Sequence, residues 1–370
     1  MEMQVIAAGS METKITFFSI IVLTCLFLNY NKVTAGQQKE YTAIDSVFHS
    51  SVITGLDYVS NNCFKKALAV FDTMQKRFPD HPAPNMYKAA TYQSWMLTYR
   101  INTFENDLFE NAQLAIDKGT RLMEKENNPW LNFYVGAAYG FMALHRFRQH
   151  NWIGAYIDGK KGINNFNIAL KKSPNLYDCY YGLGSYYYWR TAKSKFIRIL
   201  IFWMSDKREL GLEQLKLSID KGRYCSYDAT HGLIIAYYHH GDYDKALALN
   251  TAAMELSNPP SLGTLYMRGR LMATFGNWVE VKELFRRILK RLLMHPYQSI
   301  AYKVECQYWI AEALKNLHQP NKALELTTQA LAQSENWIKE RELENPIESF
   351  NVIKERLKIL HDTLKKDLVK

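Results

Sequence analysis

The C-terminal stretch, residues 345–370, shows a regular spacing of apolar positions on an otherwise charged segment. Apolar side chains recur there at intervals of three and four residues, at Phe350, Ile353, Leu357, Leu360 and Leu364. This spacing places all five on one narrow face of an α-helix. It predicts a helix that covers the end of a larger array. A dimerisation seam is the less favoured alternative, because two heptads are short for a coiled coil. Strand-like alternation is absent, so we expect an all-α fold.

Small and large apolar residues follow a second, longer pattern. The first clear example places Gly55, Tyr58, Ala67, Phe71 and Pro79 at successive intervals of 3, 9, 4 and 8 residues. Small residues let two antiparallel helices approach, large side chains fill the gaps beside them, and proline ends the second helix. The pattern therefore predicts a helical hairpin.

The same register returns along most of the chain. The corresponding small or apolar position of the later units falls at Ala89, Gly136, Gly184, Ile234, Gly269 and Ala311. The first of these follows Gly55 by 34 residues, whereas Gly184 and Ile234 are 50 residues apart. The longer interval indicates an insertion near residues 191–206.

This register resembles the tetratricopeptide repeat (TPR) family over roughly residues 45–333. The resemblance implies a right-handed α-solenoid of about seven helix pairs, in which each pair contacts mainly its neighbours. We expect residues 1–35 to form a signal peptide, residues 36–333 the solenoid, and residues 334–370 the C-terminal capping helices. The family also implies a non-catalytic scaffold that binds a peptide or protein partner in its concave groove.

The resemblance further implies which side chains line that groove, namely positions two, five, nine and twelve of each first helix. Where the register is clear, these candidates are Asp178, Tyr181, Tyr188, His231, Tyr238, Tyr266, Arg270, Tyr308 and Glu312. Tyrosine offers rigid apolar surface with a polar tip, which suits peptide binding. Packing between units is an equally open reading of the same tyrosines. We expect Arg270 to serve the binding of an acidic segment and to contribute little to folding.

Charge adds a hint about partners. The chain carries a formal net charge of +10, and the stretches 190–223 and 268–303 account for it with nine basic against four acidic and eight basic against two acidic residues. Clustered positive charge favours an acidic protein partner or an anionic membrane surface. A solvated basic helix face is the alternative. Nucleic acid is disfavoured because the chain is predicted to be exported.

The N-terminus carries the export signal. Lys14 precedes an uncharged stretch, residues 15–31, and Val33, Thr34 and Ala35 precede a cleavage position before Gly36. This arrangement predicts an exported bacterial protein that is periplasmic or associated with the cell envelope. An uncleaved anchor stays open, because about 17 apolar residues is the lower limit for crossing a bilayer.

The insertion is strongly apolar and has basic flanks. Phe196, Arg198, Phe202 and Trp203 are its candidate contact residues, within a run too short to cross a membrane. Each large apolar side chain gains about 1.5–3 kcal/mol on burial, so exposure would be costly. Packing on the solenoid is favoured. Docking on a protein partner and peripheral contact with a membrane are the alternatives.

No catalytic or cofactor motif is complete. The stretch 154–162 approaches a nucleotide-binding loop, but Lys161 stands where a hydroxyl residue should bind magnesium, and the preceding residues read as helix. His239 and His240 point about 100° apart on a helix and cannot chelate one metal ion together. A turn between two helices explains them better. We therefore predict no enzyme activity, no cofactor and no metal.

Overall fold

The computed structural model describes residues 46–192, 206–257, 259–345 and 347–369. Their α-helices are α1 (Ser46–Ser60), α2 (Phe64–Arg77), α3 (Pro82–Tyr99), α4 (Glu105–Met123), α5 (Pro129–Arg148), α6 (Trp152–Lys172), α7 (Cys179–Ala192), α8 (Arg208–Lys221), α9 (Ser226–His240), α10 (Tyr243–Glu255), α11 (Leu262–Thr274), α12 (Trp278–Leu293), α13 (Ile300–Asn316), α14 (Pro320–Ser334) and α15 (Phe350–Val369). Residues Ser51–Lys370 form one compact unit.

Helices that follow one another in the chain pack side by side as hairpins. The described residues give seven such pairs, from α1–α2 to α13–α14, and α15 packs against α14 and α13. Extended structure among these residues amounts to one isolated bridge between Ile101 and Glu342. The prediction of an all-α solenoid of helix pairs is confirmed.

The repeat pattern has the packing role that its spacing predicts. A Cβ atom added to Gly55 would lie 2.2 Å from the ring of Phe71, and one added to Gly269 would lie 2.7 Å from the ring of Phe285. In both hairpins the glycine and the phenylalanine are 16 residues apart. The small residue therefore makes room for the large one on the second helix of the same pair.

Helix α15 buries the stripe that the sequence predicts. Phe350, Ile353, Leu357, Leu360 and Leu364 are all buried. The helix packs against α14 and α13, and its exposed positions are mostly polar, with Val352, Ile359 and Leu368 as apolar exceptions. The stripe thus covers the apolar end of the last repeat pair.

Each pair contacts mainly its neighbours along the chain, as expected, and a few side chains also join pairs that are far apart in the sequence. The ring of Tyr99 on α3 stacks on His295, with centroids 3.5 Å apart, and Nε1 of Trp95 donates to Nε2 of the same histidine. The hydroxyl of Tyr227 donates to the backbone oxygen of Ser60. Large aromatic side chains on the inner helices span the distance between early and late pairs.

The glycine-rich stretch 154–162 and the histidine pair before Gly241 both belong to helices or the turns that end them. The stretch 154–162 falls inside α6, so it forms no phosphate-binding loop. Gly241 has a left-handed φ of +92° and ends α9 in the predicted turn. Asp242 follows it but pairs with Lys245 and makes no side-chain cap to α10.

Several predictions concern residues outside the described part of the chain. The signal peptide, residues 1–35, is among them, and so are Phe196, Arg198, Phe202 and Trp203 of the insertion. Their roles stay predictions. Within the described residues, no helix combines the length and the apolar character needed to cross a membrane.

Candidate functional site

The candidate groove residues are largely covered by the chain itself. Five of them are buried, namely Asp178, Tyr188, Tyr266, Arg270 and Tyr308. Four are partly exposed, namely Tyr181, His231, Tyr238 and Glu312. The structure brings Tyr238, Tyr266 and Arg270 together, whereas Asp178 lies elsewhere and accepts the backbone N–H groups of residues 223–225. A role of these nine residues in partner binding stays a prediction.

Arg270 lies at the centre of a buried polar cluster. Its Nη1 donates to the hydroxyl of Tyr266 at 2.9 Å and lies 3.1 Å from a carboxylate oxygen of Glu348, while Nη2 donates to the hydroxyl of Tyr238 at 3.2 Å. Only 4% of Arg270 is exposed. Removing its charge would take one of two cationic partners from the buried Glu305 and from the partly buried Glu348, which is costly. The expectation that Arg270 contributes little to folding is therefore wrong.

Glu305 is the second centre of this cluster. It forms an ion pair with Arg100, accepts a 2.7 Å hydrogen bond from the Tyr266 hydroxyl, and accepts another from Nδ2 of Asn345 at 2.9 Å. Burial alone would raise the pKa of Glu305, but Arg100, Arg270 and the tyrosine hydrogen bond hold that pKa below its ordinary value. The carboxylate is therefore ionised and fully engaged with its neighbours.

The cluster anchors part of the connection between α14 and α15, residues 340–345 and 347–349, which we call the acidic segment because it contains Glu340, Glu342, Glu344 and Glu348. The backbone N–H of Leu343 donates to the oxygen of Arg100 at 3.1 Å, and that of Asn102 donates to the oxygen of Arg341 at 2.9 Å. These bonds pair the acidic segment with the end of α3.

One carboxylate of the acidic segment closes the start of α13. Glu342 accepts the backbone N–H groups of Ile300 at 2.7 Å and Ala301 at 2.9 Å, and the hydroxyl of Ser299 at 2.6 Å. The first N–H groups of a helix lack partners within the helix and attract anions. Two carboxylates of the acidic segment are thus held by the solenoid, Glu342 at the start of α13 and Glu348 beside Arg270 on α11.

An open cleft of about 300 Å³ lies beside the acidic segment. Its walls come from the α3–α4 turn, the α12–α13 loop and the residues after α14: Ile101, Thr103, Pro296, Tyr297, Gln298, Ile300, Asn336, Ile338, Arg341 and Glu342. The mixture of apolar walls and polar rim suits one or two large apolar side chains together with a charged group. Sequence analysis missed the cleft, because its walls are far apart in the chain.

Ile338 and Tyr297 are the accessible apolar contacts of the cleft. Ile338 is 43% exposed, and Tyr297 is exposed to a similar extent. The ring of Tyr297 meets that of Phe104 edge-on at 5.2 Å, which fixes its position. Arg341 adds a cation to the same wall. The cleft can therefore hold a ligand group that combines an apolar body with a negative charge.

Metal binding has no candidate in the part of the chain that the structure describes. No three His, Cys, Asp or Glu side chains gather there as a ligand set.

Comparison with known proteins yields likeness at the level of structure. No family model matches the chain, and no curated protein matches it. The chain is similar to the C-terminal part of a TPR repeat-containing protein from Cytophaga hutchinsonii, with 17% identity and a TM-score of 0.41 over 78% of this chain and 97% of that one. It is also similar to a TPR protein from Parabacteroides merdae, with 12% identity and a TM-score of 0.36 over 85% and 99% of the two chains.

A thermophilic TPR protein from Thermus thermophilus has 16% identity and a TM-score of 0.38, over 62% of this chain and 98% of that one. Sequence identities this low support a shared architecture and nothing beyond it. In its helix pairs, as in its sequence register, the chain resembles the TPR family.

Proposed function

We propose that this chain is a non-catalytic protein-binding scaffold at the cell envelope, and that an extended segment of a protein partner docks in the cleft. The location rests on the predicted export signal. The binding role rests on the cleft and its surroundings. The partner segment lies next to the acidic segment and leaves the buried cluster around Arg270 in place.

The observation that carries this proposal is the open cleft of about 300 Å³. Its volume lies at the lower end of the range for ligand pockets, which is enough for an anchoring side chain of a peptide. Ile338 and Tyr297 already expose apolar surface there, so a partner gains binding energy by covering it. The buried groove positions offer no such exposed surface without unfolding part of the fold.

Charge indicates the partner's chemistry. Arg341 lines the cleft, and the strongly basic stretch 268–303 supplies the uncharged wall residues 296–298 and 300. Glu342 is occupied by the start of α13 and is shielded there. The partner segment that fits best combines a large apolar side chain with a neighbouring carboxylate.

The test uses peptides selected from a random displayed library against the purified chain. We expect the selected peptides to pair Leu, Ile or Phe with Asp or Glu. Ile338→Asp should weaken their binding at least tenfold, about 1.4 kcal/mol, because it places a charge on the apolar wall. Titration with a labelled peptide measures the loss.

Met294→Asp is the matched control, because Met294 is exposed and apolar but does not line the cleft. This variant should bind the peptides as the unchanged chain does. Arg341→Glu should weaken the binding of acidic peptides more than that of matching peptides in which Asn and Gln replace Asp and Glu. Equal binding by the chain and its Ile338→Asp variant would place the partner site elsewhere.

A further inference from the structure

The outer face of α6 carries two parallel rows of residues with the same order of side-chain types. Trp152, Tyr156 and Lys160 form one row, and Ile153, Ile157 and Lys161 form the other. Members of a row are four residues apart, so each row runs along one side of the helix. Both rows begin with apolar side chains and end in a lysine.

The apolar members of both rows are exposed. Ile153 is 77% exposed, and Trp152, Tyr156 and Ile157 are each about half exposed. Together they present a patch of the order of 400 Å², comparable to the largest apolar patch of a typical monomer, and such patches mark interaction sites. Trp152 is held in place by Phe147, whose ring meets it edge-on at 5.1 Å.

The hairpin that carries this face is positively charged. Residues 129–172, which span α5 and α6, contain six basic residues and a single acidic one, Asp158. Asp158 is buried and accepts a 2.8 Å hydrogen bond from Nε of Arg146, so these two opposite charges offset each other and the other five basic residues make up the net charge. The hairpin therefore carries a net charge of +5 in a part of the sequence outside its two basic stretches.

We propose that the rows of α6 form a surface that docks on an anionic lipid membrane. Tryptophan and tyrosine favour the boundary between water and lipid, and lysine can lay its stem along apolar surface while its ammonium group reaches lipid phosphates. A helix with this distribution lies in the membrane interface without crossing it. The positive charge of the hairpin complements anionic headgroups, each lysine near the surface contributing to attraction. This membrane surface is separate from the cleft, so it does not depend on the proposed function.

The experiment is co-sedimentation with lipid vesicles. The chain starting at Gly36 is used, because it retains the whole compact unit Ser51–Lys370 and lacks the apolar N-terminal stretch. One vesicle type contains phosphatidylcholine alone and the other an equal mixture with phosphatidylglycerol. The chain should pellet with the anionic vesicles and much less with the neutral ones.

The variant Ile153→Asp/Ile157→Asp should lose at least tenfold in the apparent affinity for anionic vesicles. Lys160→Glu/Lys161→Glu should show a comparable loss at low salt that diminishes as salt is added, because salt screens charge. Met294→Asp is the matched control, since Met294 is 76% exposed, nearly the same fraction as Ile153, and it should bind as the unchanged chain does.

Three results would overturn the proposal. Unchanged vesicle binding by Ile153→Asp/Ile157→Asp would assign membrane contact to another part of the chain. Absence of binding to anionic vesicles would indicate that this face of α6 binds a protein partner and not a membrane. A melting temperature several degrees lower for Ile153→Asp/Ile157→Asp would show that the chain itself covers this face.

Discussion

At the scale of single residues, the cluster around Arg270 and Glu305 shows how a repeat position can change its role. Arg270 lies where the family register implies a groove residue, yet its guanidinium bonds to Tyr266 and Tyr238 and pairs with Glu348. The planes of Trp309 and Tyr238 also face its charge at 4.8 and 5.5 Å. The repeat register directs the side chain of Arg270 inward, and the acidic segment covers it there through Glu348.

Arg270→Ala should therefore destabilise the fold. Removing one partner from a buried ion pair typically costs about 3–5 kcal/mol, and we expect the lower end here, because Glu305 keeps Arg100 and Glu348 keeps Arg356 as counter-ions. Chemical denaturation monitored by circular dichroism measures the change in the free energy of unfolding. Arg286→Ala is the control, because Arg286 makes only an exposed pair with Glu283 and its loss should change little. Equal stability of the two variants would contradict the cluster as described.

At the scale of elements, helix α3 connects early and late repeat pairs, so its start matters for the whole unit. His81 precedes it and accepts the backbone N–H of Ala83 through Nδ1 at 3.2 Å. Burial lowers the pKa of His81 from 6.5 to about 4, and the positive charge of Lys118 adds to that effect. The neutral imidazole is the form that can accept this hydrogen bond.

The cap makes stability depend on pH in a defined direction. Between pH 6.5 and about 4 the unfolded chain binds a proton at His81 that the folded chain does not, so stability should fall as the pH falls through this window. Asn is a good N-cap residue and does not titrate. His81→Asn should therefore flatten the decline by up to about 3 kcal/mol across the window.

Denaturation curves at several pH values measure this slope for both chains. Other titrating groups, such as His231, are common to both chains and cancel in the difference. Parallel pH profiles for the chain and its His81→Asn variant would argue against a neutral histidine cap.

At the scale of the whole unit, the helix pairs could be predicted from the sequence because their spacing repeats, whereas the cleft could not. The spacing of Gly55 and Phe71 returns in Gly269 and Phe285, and the small position of the register returns in the other pairs, so the fold could be predicted from them. Glu305 was within reach, because the same register places it six residues before Ala311 at an inner position. The cleft was out of reach, because Ile101, Tyr297 and Ile338 share no spacing and meet only after the pairs have packed.

Contacts between early and late pairs also make a prediction for unfolding. An open solenoid held by neighbour contacts can lose its ends independently. Here Tyr99 stacks on His295, and Arg100 pairs with Glu305, so the ends should unfold together. Phe71→Ala near one end and Leu357→Ala near the other should each lower the free energy of unfolding by roughly 2–5 kcal/mol. Both substitutions should shift the midpoint of one common transition.

Coincident denaturation curves from circular dichroism and tryptophan fluorescence test this cooperativity. Two separate transitions, each sensitive to only one of the substitutions, would indicate that the long-range contacts contribute little.

We propose that a partner segment binds in the open cleft and not at the groove positions of the repeat register. Titration of one labelled, library-selected peptide against two variants tests it most directly. Ile338→Asp changes the cleft wall, and Glu312→Ala changes a partly exposed groove position outside it. We predict at least a tenfold loss of affinity for Ile338→Asp and less than a twofold change for Glu312→Ala, about 1.4 against 0.4 kcal/mol. The reverse order, with Glu312→Ala losing affinity and Ile338→Asp keeping it, would contradict the account.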